Sequence, residues 1–274
     1  MIDLITTMNL RLYQQYGSRM IRSIDKFADS SVRLIVVFEG ELPADTDTLS
    51  DRIVFLEYCF PDHEKFISIF SRHEEARGIR YLDIKKDNKV VAKQKYYDYR
   101  YDALRFSYKV FSLFFAKQSA DAGLITLSPN FAWIDGDTVA TQNFGEEELL
   151  PFLPQESVLM TYLGRKKYDY SECGFLGFNS QHSDINQFLR RMVTVYATGE
   201  LFTFDQWHDS WIWDRIREEF SARGVNFQSV SGEAYSAEHP FINCGLGAFL
   251  DHLKGPTRKA NGSSFETDKI KEVA

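Results

Sequence analysis

The chain has 274 residues, a formal net charge of −7, and 44% hydrophobic against 26% charged residues, which excludes a disordered or low-complexity polymer. At this length folding buries roughly 75% of the surface an extended chain exposes, enough for one large core. The acidic balance disfavours a partner gripped through nucleic-acid phosphates, although modified DNA stays open as a partner.

No apolar run reaches the length of a membrane span, and Met1–Thr7 lacks the basic-then-apolar order of a signal peptide. Cys59, Cys173 and Cys244 show no Cys-X-X-Cys spacing and read as reduced core thiols, so a cytoplasmic location is expected. Oligomeric state is not legible.

In chain order, residues 2–8 read as a short buried strand. Residues 9–27 follow with Tyr13, Tyr16, Met20, Ile24 and Phe27 at helical spacing. Val32–Phe38 is a continuous β-rich run, as in a strand buried on both faces. Strand, helix, strand in the first forty residues predicts a βαβ unit and an α/β sheet. Beyond it come a strand near 53–56, a helix near 64–75 and a stretch carrying Lys85, Lys86, Lys89, Lys93 and Lys95, which suits a solvated hairpin or loop. A helix over 102–116 is followed by strands at 123–127, 131–135, 158–163 and 174–178, and by helices at 184–197 and 206–221. From Gly255 the chain turns small and polar, and 263–274 reads as a flexible tail.

The strongest chemical signal is Phe131-Ala132-Trp133-Ile134-Asp135-Gly136-Asp137-Thr138, an apolar strand running into two carboxylates separated by a glycine. Ligands of open α/β sheets gather at such strand ends. Gly136 permits a sharp turn, so both acids can face one cation, and carboxylate oxygens suit magnesium or manganese. A second signal lies far downstream, at Asp251-His252-Leu253-Lys254-Gly255-Pro256-Thr257-Arg258-Lys259. A neutral imidazole can complete a carboxylate metal site, glycine admits a phosphate closely, and cations neutralise a leaving diphosphate.

Together these motifs resemble nucleotide-sugar glycosyltransferases of the GT-A fold, in particular family 8, the glycogenin and lipopolysaccharide galactosyltransferase group. That family carries Asp-X-Asp at a strand end and a late His-X-X-Gly-X-X-Lys motif. The order is also similar to small glycosyltransferases of phages and polysaccharide gene clusters. It runs through Thr6-Thr7-Met8-Asn9, then Arg105, Phe106 and Lys109, then the Trp133 to Asp137 strand and Tyr162 to Arg165. Glu172 to Phe175, His208 to Ser210 and the late segment complete it. Two departures stand out: Arg258 occupies the place of the family's usual Lys, with Lys259 next, and Leu127–Asn130 looks inserted.

The resemblance implies a single GT-A-like α/β domain over 1–262, with a mostly parallel central sheet flanked by helices. Its nucleotide-binding half would cover about 1–140 and its acceptor half about 141–262. It implies transfer of a sugar from a nucleotide-diphosphate donor, a UDP-sugar first, to a hydroxyl acceptor such as a glycan, with a retaining outcome. Asp135, Asp137 and His252 would hold Mn2+ or Mg2+, while Thr6, Thr7, Glu39, Arg105, Lys109, Lys254, Gly255, Arg258 and Lys259 would line the donor. Glu172 and Asp209 are left as acids for the acceptor side, although Asp209 also fits a helix N-cap before Trp211. Trp207, Trp211 and Trp213 offer either stacking faces for sugar rings or core packing. The competing readings are a metal-dependent nucleotidyltransferase or sugar-nucleotide hydrolase, which would generally need an N-terminal Gly-rich phosphate loop, and a non-catalytic carbohydrate-binding or assembly protein.

Overall fold

The computed structural model describes residues 1–87 and 89–270. The opening βαβ unit is present as β1 (Ile2–Asn9), α1 (Ser18–Phe27) and β2 (Val32–Glu39). Asn9 caps the turn Leu10–Leu12 by accepting from the Leu12 N–H at 3.0 Å, and a π-helical segment, Tyr13–Gly17, joins that turn to α1. Both strands are apolar on successive residues because both faces of the sheet are covered. Leu4, Val36 and Phe38 enter one core, whereas Ile5, Ile35 and Val37 enter the other.

β3 (Ile53–Glu57) extends the sheet beside β2. A free hairpin, β4 (Ile79–Lys86) with β5 (Lys89–Tyr97), then leaves the body. It returns through α3 (Ala103–Asp121), whose first turn is capped by the Asp102 side chain accepting from the Arg105 N–H at 3.1 Å. β6 (Asn130–Ile134) pairs parallel with β1, and β7 (Thr138–Ala140) follows one tight turn later. β8 (Met160–Leu163), β9 (Glu172–Asn179) and β10 (Phe227–Ser229) complete the seven-stranded sheet in the order β10-β8-β9-β6-β1-β2-β3. Among the described strands of this sheet β9 alone runs antiparallel to its neighbours.

α2 (Pro61–Phe70), α3, α4 (Ile185–Ala197) and α5 (Asp209–Ser221) cover one face, and α1 lies on the other. This is the α/β layout expected above, a mostly parallel central sheet flanked by helices. Finally β11 (Leu250–His252) pairs antiparallel with β7, setting His252 opposite Thr138, and α6 (Gly255–Asn261) follows.

Several local expectations shift. Residues 123–127 form no strand: Gly123, at φ +73°, ends α3 in a turn, and Leu124 stands 75% exposed. Trp207, Trp211 and Trp213 are all buried in the helical core, which settles their packing role. Cys59 is exposed, while Cys173 is buried and Cys244 half-buried. Within the expected tail, Ser264 N–H and O–H donate to Asp251 and Ile270 N–H donates to Asn243, whereas 271–274 lie outside the described residues. Among the described residues no helix is long and apolar enough to cross a membrane.

Candidate functional site

The turn between β6 and β7 and the start of α6 bring the two sequence signals together. Thr138 N–H donates to Asp135 O at 3.0 Å, closing the turn around Gly136, and Leu253 N–H donates to Asp137 O at 3.0 Å. Each carboxylate then divides its two oxygens. Asp135 Oδ1 accepts from Trp133 Nε1 at 2.7 Å and lies 2.8 Å from Lys109 Nζ, and Asp137 Oδ2 lies 2.7 Å from Lys259 Nζ. The other oxygens, Asp135 Oδ2 and Asp137 Oδ1, lie 3.4 and 3.3 Å from His252 Nε2.

Two oxygens and one ring nitrogen therefore converge, and these three side chains offer ligand atoms within 4.8 Å of one another. Ligands placed cis around an octahedral ion at about 2.1 Å stand about 3 Å apart, so the set fits magnesium or manganese with slight contraction. Thr6 Oγ1 is buried without a hydrogen-bond partner, and a Cβ on Gly136 would lie 3.4 Å from it, so this hydroxyl borders the same turn.

Electrostatics tie the cluster. Burial opposes charge on Asp135 and Asp137, yet Lys109 and His252 hold the first, and His252 and Lys259 the second, below the usual carboxylate range. Burial likewise opposes charge on His252, but Asp137, Asp135 and Glu172 raise it well above an ordinary imidazole.

Lys109 is the buried hub on one side. Its ammonium lies 2.5 Å from Asp209 Oδ2 as well as against Asp135, and it donates to Cys173 O at 2.7 Å. Asp209, the first residue of α5, is 3% exposed, and its other oxygen accepts from Ser210 N–H at 2.8 Å. The helix starts at Asp209 with His208 in the N-cap position.

Glu172 forms the opposite side. It is 2% exposed, and Lys254 Nζ sits 2.6 Å from its Oε1. His252 Nδ1 lies 3.2 Å from Oε1 and His239 Nδ1 2.9 Å, while Phe241 N–H donates to Oε2 at 3.2 Å. Burial opposes the charge, but Lys254, His239 and His252 keep this carboxyl well below its ordinary value. Donation from His252 Nδ1 to Glu172 leaves Nε2 as the ring's ligand atom, the arrangement by which a carboxylate orients a metal-binding histidine.

Gly174, on β9, allows the imidazole to lie there. A Cβ on it would meet His252 Nδ1 at 2.5 Å and Cε1 at 2.6 Å. Gly174→Ala is expected to push the ring off both aspartates and to weaken manganese binding about tenfold or more, read by isothermal titration. Unchanged affinity in a folded variant would show that the ring position is not critical.

The remaining residues fall on the rim or turn away. Thr7 Oγ1 donates to Val37 O at 2.9 Å at the carboxyl end of β1. Glu39 ends β2, and burial lifts its carboxyl from 4.5 to about 7 against the opposing Asn9 and Thr7 side chains. A carboxyl raised on folding binds its proton more tightly in the native chain. Its contribution is therefore full below about 4.5 and lost as pH rises to about 7. Glu39→Gln is expected to flatten the fall in stability across that window, measured by urea denaturation at several pH values; an unchanged slope would remove Glu39 as its source.

Arg105, four residues before Lys109 on α3, is exposed while Lys109 is buried, so the structure separates the pair by depth. Of the late cations, Lys259 reaches Asp137 and Lys254 reaches Glu172, but Arg258 turns outward onto Asp268, with Nε donating at 2.7 Å. Gly255 opens α6 at φ +81° and is exposed, with free space where a Cβ would stand.

Sequence reasoning missed Tyr16 and His239 beside the site, and placed Trp133 in the motif without giving it a role. Tyr16 lies under the Lys259 ammonium at 4.3 Å, and burial and Asp137 push its hydroxyl up to about 12. The π-helical turn that carries it is a frequent companion of functional positions, but nothing in its spacing differs from an ordinary helix.

No protein-family model matches the chain, and no curated protein matches it. Among solved structures the chain is similar to mouse xyloside xylosyltransferase 1 in its apo form, at 14% identity and a TM-score of 0.42, over 82% of this chain and 84% of that one.

Proposed function

We propose that this chain is a metal-dependent glycosyltransferase that moves a sugar from a nucleoside-diphosphate donor to a hydroxyl acceptor. The observation that carries the reading is the division of labour at Asp135 and Asp137. One oxygen of each is held by a lysine, and the other faces His252 Nε2. Such an arrangement presents a preset oxygen, oxygen, nitrogen face.

When bound, a divalent cation would supply Lewis-acid stabilisation of the leaving diphosphate. Asp135, Asp137 and His252 would hold it, and Glu172 would keep the His252 ring in the required tautomer. Lys259 and the Tyr16 hydroxyl flank the side of Asp137, where a diphosphate would gain hydrogen bonds and charge compensation. Thr6, Thr7 and Glu39 lie at the carboxyl ends of β1 and β2, where the nucleoside of such a donor belongs. Asp209 serves the acceptor side, with its charge balanced by Lys109. The late histidine motif favours a UDP-sugar and a retaining outcome, with a glycan as the acceptor class and the boundary between donor and acceptor halves near residue 140.

The test is a thermal-shift screen against UDP, GDP, CDP and ADP, with and without manganese. A ligand at a hundred times its dissociation constant adds about 2.7 kcal/mol of stability. A manganese-dependent response to one nucleotide, UDP by this reading, is the expected outcome. A folded protein that answers none of the four would leave a non-catalytic carbohydrate-binding role as the better account.

A further inference from the structure

The β4–β5 hairpin takes no part in the site, and every described residue from Tyr81 to Tyr97 is exposed. Its root is fixed to the body. The Arg80 guanidinium stacks on Tyr101 at 3.5 Å and on Trp207 at 4.7 Å, Lys95 pairs with Glu74 at 2.6 Å, and Asp98 N–H donates to Gly78 O at 2.7 Å. Beyond that root it is a bare two-stranded ribbon, an element that is marginal in water unless something covers a face.

Its composition indicates the cover. Cross-strand pairing puts Leu82 opposite Gln94, Ile84 opposite Ala92 and Lys86 opposite Lys89, so one face carries an aliphatic stripe that ends in two ammonium groups at the tip. Lys93 and Lys95 lie on the other face, opposite Asp83 and Tyr81. Leu82 is 58% exposed and Val91, unpaired at the register shift after Ile84, 58%, while Val90, opposite Lys85 on the other face, is 51% exposed. The ribbon holds six Lys and Arg against two Asp, on a chain whose net charge is −7. The molecule therefore concentrates cations on the element that also exposes aliphatic groups.

We propose that this ribbon docks the protein onto an anionic lipid surface. Lysine stems lie along an acyl boundary while their heads meet anionic headgroups, and the aliphatic side chains between them enter the interface. The acidic body is repelled by the same surface, so the opposed charges orient the molecule with the ribbon down. A second copy of the ribbon is a poorer occupant, because edge pairing would set lysines against lysines. The proposal does not depend on the metal reading.

The experiment is sedimentation of the full chain with phosphatidylcholine vesicles containing about 30% phosphatidylserine, against phosphatidylcholine alone, at about 0.1 M salt. The expected result is at least about tenfold tighter partition onto the anionic vesicles, with at least about tenfold lost in Lys86→Glu/Lys89→Glu/Lys93→Glu. Leu82→Ser/Ile84→Ser is expected to weaken binding as well. A Val91→Cys chain in a Cys59→Ser background, carrying an environment-sensitive dye, should shift to the blue on anionic vesicles, a readout independent of how the charge variants fold. Equal partition onto both vesicle types, an unmoved dye spectrum, or full binding by the Lys→Glu variant would overturn the proposal. So would a concentration-dependent dimer that those ribbon substitutions dissolve, since it would make a second copy the occupant.

Discussion

Asp137→Ala is expected to abolish manganese-supported nucleotide binding and to lower turnover by on the order of a thousandfold, equivalent to about 4 kcal/mol. The side chain supplies one of the two oxygens facing His252 Nε2, and its second oxygen anchors Lys259. On the proposed reading its removal therefore deletes a metal ligand and frees the Lys259 ammonium in one step. Binding is read by titration of the best nucleotide with and without manganese, and folding by the melt of the ligand-free variant. Lys93→Ala, on the exposed hairpin, is the matched control and should leave both unchanged. Full manganese-dependent turnover in Asp137→Ala would show that the metal is held elsewhere.

The second large effect is on stability. Lys109→Met is expected to cost about 3 kcal/mol, because it leaves the buried Asp209 and the half-buried Asp135 without their shared ammonium. The carbonyl of Cys173 loses its donor at the same time. Equilibrium urea denaturation measures the loss, and Asp209→Asn in the same chain should restore part of it, since the two positions are directly coupled. A loss below about 1 kcal/mol would mean that water reaches the carboxylates and that the hub is not sealed.

How much of this was legible depends on what each residue's neighbours in sequence can encode. The βαβ opening was, because Leu4-Ile5 and the run Leu34–Phe38 are apolar on successive residues, a pattern demanded by a sheet covered on both faces. Asp135, Asp137 and His252 were singled out by motif, and the structure brings their ligand atoms together. Depth was not legible. Arg105 and Lys109 share a helical spacing, but only the position facing the sheet is buried, and spacing defines an angle around a helix rather than a distance from water.

Partner choice was hidden for the same kind of reason. Glu172 sits at the start of a wholly buried strand, and its ties to His239, His252 and Lys254 are made across the fold. Asp3 likewise interrupts an apolar strand and finds Arg33 at 2.7 Å and the Ser128 N–H at 2.6 Å. The three-residue strands β7, β10 and β11 are too short to display a period.

The pairing of β11 with β7 has a consequence for the order in which the molecule becomes competent. Synthesis delivers Asp135 and Asp137 with the middle of the sheet, but the His252 imidazole and Lys259 arrive only after all seven strands of the main sheet have been made. A nascent chain halted after β10 would hold every strand of the main sheet and the two acids without their imidazole. On the proposed reading, metal capture thus waits for the last strand to clip into place, and an interrupted chain also lacks Phe241, Ile242, Leu246, Phe249 and Leu250 of the second core.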